Sequence, residues 1–492
     1  MNLTSLEKLI TSLNKGESRV FSTKTKSKNQ PIYFKIFKQV KNKGTLGEYK
    51  SSKYTQYRKY LFDTLLLSIS QNTGSLDSRI LKKLINTEML FKRHMIEESW
   101  KESHKALYLA KKHERYGFLI QIYEWKKDIG LYLDNFSQED YFDLSQKEED
   151  VLQKQLSFLK IKKLYMEILS VKREYGYLTV DYDRERFHKF NVNINETETD
   201  SKRILFYSRM TKAIYHWMLK EHDCEYELTK KNTLEVDINV DYSEYMIAHL
   251  EHLTSCICNA SFNELLSTLN NLRKKEKNCF FGDNPNIRLK LFIYAANYEI
   301  MTFVYLNDTE SLTAKLEEVE QGLISWQKNL SKDMFLMIST AQRLGYYYIG
   351  NYKKARHFTN LVLNGSSKLI RKDVYNGALL FNLTLVFDKS DTEYQESVLK
   401  KTIRHLKNNN KENSFEYLFA TTLLKNHSLP MKFNKTFESL KPHLGNYYFK
   451  LSDGRLYSEN YLHAYIWLIS KLKRINAKKV MEKWHNNQLE TI

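Results

Sequence analysis

LGYYYIGNYKKARHFTNLVLN, residues 344–364, reads as two helices joined by a tight turn. Tyr346 supplies an aromatic on the inner face of the first helix. Gly350 and Tyr352 sit at the break, where glycine accepts the positive φ on which helices commonly end. Ala355 is the small residue at the crossing, where a larger side chain would push the two axes apart. Thr359 and Val362 continue the inner face of the second helix. The stretch therefore predicts a helical hairpin with its turn at Gly350.

The same grammar appears in MIEESWKESHKALYLAKKHERYG (95–117), through Trp100, Ser103, Leu107 and Ala110. It appears again in NASFNELLSTLNNLRKKEK (259–277), through Phe262, Leu265, Leu269 and Leu272. No strict 34-residue period links the three, so the helices are expected to be unequal in length. The pattern resembles the tetratricopeptide-repeat (TPR) class, although Thr359 and Val362 stand where that class carries an aromatic and a small residue. The resemblance implies an all-α fold, a right-handed solenoid of antiparallel helix pairs with a small helical basic N-terminal module. ITSLNKGESRVF (10–21), YFKIFKQV (33–40) and KYLFDTLLLSIS (59–70) further resemble the opening of large helical-repeat proteins of Bacteroidetes. That second resemblance implies a bacterial, cytoplasmic repeat protein and carries no catalytic residue across.

Composition agrees. The 492 residues hold 15 Gly and 4 Pro, too few for a turn-rich β-protein and for glycine-lined phosphate loops. No run of about 18 apolar residues occurs and the N-terminus lacks a signal-like apolar core, so no membrane partner is expected. Four cysteines, Cys224, Cys256, Cys258 and Cys279, suit a reducing compartment better than a disulfide framework. The expected organisation is a basic helical module or cap over 1–73, helix pairs over 74–176, a loop or linker over 177–200, helix pairs over 201–456, and closing helices over 457–492. Further breaks are read at 278–286 and 426–430.

The net charge is +19. The first 60 residues contain 14 Lys or Arg against 3 Asp or Glu, more than half of that excess. Such a balance favours polyanions. Arg19, Lys24, Lys26, Lys28, Lys35, Lys38, Lys41, Lys43 and Arg58 are the candidate nucleic-acid contacts, with Lys35, Lys38 and Lys41 recurring near one helix face. Lysine suits phosphate contact, whereas arginine reads guanine edges, so attraction to the backbone without base reading is expected. A Lys-rich, A/T-rich coding bias would leave the same residues as a solvated face.

Among residues able to hold a metal, His249, His252 and Cys256 in HLEHLTSCIC (249–258) fall at i, i+3 and i+7, one face of a helix. Cys258 would point elsewhere unless the helix ends. The simpler reading buries Cys256 as a small hydrophobe, and no metal or other cofactor is expected. Phosphate-loop, dinucleotide, nucleophile-elbow and His-Glu-x-x-His motifs are absent. The carboxylates of 139–150 fit the positive end of a helix dipole. The expected function is a non-enzymatic interaction scaffold holding a protein or peptide segment in its groove, with Tyr346, Tyr347 and Tyr348 as a candidate patch. The alternative is a nucleic-acid-binding regulator with a helical-repeat sensor, similar to the peptide-responsive transcription regulators of Gram-positive bacteria.

Overall fold

In the computed structural model every regular element among the described residues is helical. The structure describes residues 5–13, 15–24, 31–72, 75–175, 178, 185–191, 199–236, 242–277, 285–326, 329–365, 372–389, 391–408, 414–427, 434–436, 438–440 and 459–485. No helix among them is long and apolar enough to cross a membrane. The chain divides into two compact units, Met1–Leu156 and Ser157–Ile492.

The first unit opens with α1 (Ser5–Ser12), α2 (Lys15–Lys24), α3 (Ile32–Lys43) and α4 (Thr55–Asn72), with two short 3-10 turns at Gly47–Lys50 and Ser52–Tyr54 between the last two helices. α2 is a helix that the sequence reading did not pick out. Phe21, Phe34, Ile36, Phe37, Val40, Leu46, Leu61 and Leu65 form a core among these helices. Glu7 is buried here, and its carboxylate accepts the Leu46 N–H at 2.7 Å, which satisfies a charge that would otherwise be costly. The unit continues with α5 (Leu76–Phe91), α6 (Ile96–Lys112), α7 (Tyr116–Gly130) and the start of the long α8 (Gln138–Tyr175). Helix α6 packs against both α5 and α7.

The second unit carries α9 (Lys202–Met218), α10 (His222–Glu235), α11 (Tyr242–Cys258), α12 (Phe262–Lys277), α13 (Pro285–Tyr305), α14 (Thr309–Trp326), α15 (Lys332–Tyr348), α16 (Tyr352–Asn364), α17 (Lys372–Lys389), α18 (Thr392–Asn408), α19 (Phe415–Lys425), α20 (Glu459–Lys473) and α21 (Ala477–His485). From α9 to α19 each helix packs on the next, and α11, α13, α15 and α17 also pack in succession on one another. Ala355, fully buried, lies on α16 in its pairing with α15. On α15, a Cβ added to Gly345 would stand 3.1 Å from Ile300 and Leu316, so that glycine permits the close approach of α13 and α14.

One turn recurs throughout. His94, Glu114, Lys220, Ala260, Asn307, Gly350 and Arg474 all adopt positive φ just past a helix end. After each, the next residue donates its N–H to a carbonyl five positions back, at 2.8–3.0 Å: Met95 to Leu90, Arg115 to Ala110, Glu221 to His216, Ser261 to Cys256, Asp308 to Phe303, Asn351 to Tyr346 and Ile475 to Ser470. This left-handed closure satisfies the terminal carbonyls. In the second unit the turns at Lys220, Ala260, Asn307 and Gly350 are 40, 47 and 43 residues apart. The breaks expected at 177–200, 278–286 and 426–430 lie largely outside the described residues.

Candidate functional site

The N-terminal lysines divide by role. Lys35, Lys38, Lys41 and Lys43 on α3 are exposed, as is Arg19 on α2. Lys38 lies over the Phe34 ring at 5.1 Å and Lys41 over Phe37 at 5.7 Å, the stems covering apolar surface while the ammonium groups face water. Lys35, Lys41 and Lys43 form no ion pair with any described residue. Arg58 is different: it is half-buried and donates to the carbonyls of Tyr49 at 2.6 Å and Ser51 at 3.0 Å, which fixes the 3-10 segment. Phe34 and Phe37 are core residues and unavailable for base stacking, and Tyr33 packs edge-on against Tyr60. Lys26 and Lys28 lie outside the described residues, as does the side chain of Lys24.

The tyrosines of α15 are interior. Tyr346 and Tyr347 are buried and Tyr348 is half-buried. The Tyr346 hydroxyl donates to Glu320 at 2.6 Å and the Tyr347 hydroxyl to Asp388 at 3.0 Å. Tyr347 also stands 4.6 Å from the buried His463 ring, edge to face. All three pack on the core of the second unit.

The face marked by His252 and Cys256 belongs to a largely buried polar cluster of the second unit. His252 Nε2 lies 3.1 Å from Glu264 Oε1 on α12, and its Nδ1 lies 3.1 Å from Thr229 Oγ1 on α10. The Thr229 hydroxyl is 2.9 Å from Ser255 Oγ, and Cys256 Sγ is 3.6 Å from His252 Nε2. Tyr226 donates to Glu264, and Lys230 stands 3.7 Å from the same carboxylate. His249 does not join. It stacks on Tyr245 at 4.0 Å, and its Nδ1 lies 2.9 Å from that residue's carbonyl. Cys258, two residues beyond Cys256, approaches His222 and Glu225 of α10 instead, in a second buried trio. The sequence face thus splits into two clusters, and Glu264, His222 and Glu225 come from neighbouring helices that spacing along one helix does not reveal.

Electrostatics decide what these clusters do. Burial lowers the pKa of His252, against the pull of Glu264, and lowers His249 to about 4. Burial pushes the Cys256 thiol far up, so it is a protonated core residue and a poor nucleophile. Burial also works to raise Glu264, but the hydrogen bonds from Tyr226 and His252 prevail and its pKa is lowered. His252, Cys256 and Glu264 offer nitrogen, sulfur and oxygen within 4.8 Å of one another, as do His222, Glu225 and Cys258. A zinc-like ion would have to displace the His252–Glu264 hydrogen bond and take the proton from a thiol that burial holds neutral. The network closes on itself without an ion and ties α10, α11 and α12 together.

The acidic run at the start of α8 also resolves into structural contacts. Asp140 accepts from the Ser137 N–H at 2.9 Å and hydroxyl at 2.7 Å, while its own N–H bonds back to the Ser137 hydroxyl. That reciprocal cap stabilises the helix start. Glu148 pairs with Lys127 at 2.5 Å. No protein-family model, curated protein or solved structure matches the chain.

Proposed function

We propose that the chain is a non-enzymatic, cytoplasmic interaction scaffold of the TPR-like class, a right-handed array of antiparallel helix pairs. The recurrent left-handed turn and the packing of every second helix from α11 to α17 support the array. The observation that carries the partner-binding role is an exposed apolar seam on α8. Within the second unit, Leu159 and Met166 are 49 and 58% exposed. With Lys163 between them, their spacing of four and then three residues is that of a coiled-coil seam. The opposite face, Phe158, Ile161, Tyr165 and Ile168, is buried. An apolar stripe of this kind left in water marks a protein contact. Lys160 flanks it, Lys163 lies within it, and both are exposed, so the fitting partner is an amphipathic helix carrying acidic residues.

The test is Leu159→Asp combined with Met166→Asp. Both positions are exposed, so stability should change by less than about 0.5 kcal/mol each. Partner co-purification from the source cell should fall at least ~10-fold, the equivalent of about 1.4 kcal/mol of lost apolar contact. Unchanged partner recovery by a folded double variant would contradict the role of the seam.

The exposed lysines of α3 favour a second reading for the first unit, a regulator whose N-terminal module grips nucleic-acid backbone. Lys35→Glu, Lys38→Glu and Lys41→Glu together should abolish binding to DNA and RNA in a salt series while leaving helicity intact. The wild-type affinity should fall with salt as the released counterions require. Retained binding by the triple variant, or wild-type binding insensitive to salt, would remove this reading.

A further inference from the structure

Lys126 on α7 is 2% exposed, yet it has no carboxylate partner among the described residues. A buried ammonium without a counter-charge is costly. Its Nζ rests against the face of Trp100, 3.2 Å from the ring centroid, and lies 3.1 and 3.3 Å from His104 Nδ1 and Nε2. His104 Nδ1 is 3.1 Å from the Trp100 carbonyl. That contact assigns the proton to Nδ1 and leaves Nε2 unprotonated, with Nζ over the face of the ring.

These groups line a cavity of about 470 Å³ in the first unit, bounded by α6, α7 and the start of α8. Its charged lining comprises Lys111 and Lys147 together with Glu97, Asp134, Asp140 and Asp143, none of which forms an ion pair with Lys126. Lys147 is paired with Asp143, whereas Lys111 is exposed at the cavity wall. Burial first, and then the charges of Lys111 and Lys147, bring the pKa of Lys126 down to about 7. The Trp100 face favours the charged form, more weakly than burial opposes it. Burial and Lys126 together keep His104 below its ordinary value, hence neutral.

A lysine that is desolvated beside other cations and freed from carboxylates is an activated amine. We propose that the Lys126 pocket captures small anionic carbonyl compounds, such as 2-oxo acids, as a reversible imine on Nζ, with Lys111 facing the anionic group. The neutral amine's lone pair attacks the carbonyl carbon and gives a carbinolamine. His104 Nε2 takes the proton released from nitrogen and returns it to the departing hydroxyl, which leaves as water. One carbonyl and one amine become one imine and one water, with no oxidant or reductant. The site adds a ligand-responsive element to the scaffold and needs no turnover.

The probe is pyruvate. Full-length protein is incubated with it at neutral pH and reduced with cyanoborohydride, and each lysine's adduct is measured by peptide mass spectrometry. Lys126 should carry at least ~10-fold more adduct than any other lysine, because an ordinary lysine near 10.4 holds far less free amine at that pH. Trace acetylation of Lys126 across a pH series should be half-maximal near 7. Lys111→Gln should weaken the pyruvate adduct and move the acetylation profile of Lys126 to higher pH, because the Lys111 charge that disfavours the ammonium is gone. Lys126→Arg should abolish the selective adduct, and if that variant does not fold, the two wild-type profiles decide. Adduct spread evenly over surface lysines, acetylation of Lys126 that rises only where ordinary lysines titrate, or no modification of Lys126 would each overturn the proposal.

Discussion

Replacing Glu299 with alanine should destabilise the second unit by roughly 3 kcal/mol, towards the low end of the range for breaking a buried ion pair. The Glu299 side chain on α13 is 5% exposed. Its carboxylate accepts two hydrogen bonds from the Arg273 guanidinium of α12, that from Nη2 at 2.6 Å, and stands 3.0 Å from Lys315 Nζ of α14. One carboxylate therefore joins three consecutive helices. Burial alone would lower the Arg273 pKa, but Glu299 reverses this and raises it. Alanine would leave two cations facing each other across an emptied site, and Lys315 is only 11% exposed. Arg273 is 31% exposed and regains some water, which places the cost at the low end. Denaturant unfolding is the measurement, with a lower midpoint expected at an unchanged slope. A loss below about 1 kcal/mol, the scale of a surface ion pair, would mean that solvent already screens the triad.

Trp467→Ala should cost roughly 3–5 kcal/mol through the cavity it leaves. Trp467 on α20 is fully buried, within ring-contact distance of Phe387 and Phe419. Its Nε1 donates to Asp388 Oδ1 at 2.9 Å, and Asp388 also receives the Tyr347 hydroxyl at 3.0 Å and Lys471 at 2.5 Å. The variant thus removes both the packing and one of three supports of a largely buried carboxylate on α17. Trp467→Phe separates the two effects: most of the volume stays and one hydrogen bond goes, for about 1 kcal/mol. Hydrogen exchange should show α20 and α21 opening first in Trp467→Ala, since α20 packs against α17. Equal losses in the two variants would place the energy in the hydrogen bond and not in the packing.

How much of this was legible in the sequence depends on the kind of signal. Helical content was readable because apolar spacing and scarce Gly and Pro act locally. The turn at Gly350 was readable because glycine is the residue that takes positive φ without strain. The same turn at His94, Glu114, Lys220, Ala260, Asn307 and Arg474 was not, because those residues carry no glycine signal and the hydrogen bond five positions back forces the conformation. Helix α2, KGESRVFSTK, was missed because it contains a glycine and only two large apolar residues.

Site residues were less legible because they depend on contacts between helices. His252 and Cys256 were seen on one face, but their partner Glu264 comes from the next helix, and His249 turns to its own Tyr245. Tyr346, Tyr347 and Tyr348 were read as a candidate groove patch; two are buried and the third is half-buried. Arg58 looked like another basic surface residue and instead holds backbone carbonyls. Lys126 carried no sequence signal at all: its burial follows from Trp100 and His104, which share one face of α6 but meet Lys126 only once α6 and α7 pair.

The most direct test of the account is a photocrosslinker scan along the second unit's part of α8 in the source cell, one position at a time from residue 157 to residue 168. The account predicts a discrete partner adduct at positions 159, 163 and 166, and none at 157, 161 or 164, so that the pattern itself reports a helix lying along the seam. Crosslinks absent at every position, or spread without the four-and-three periodicity, would contradict a scaffold that binds its partner through this helix.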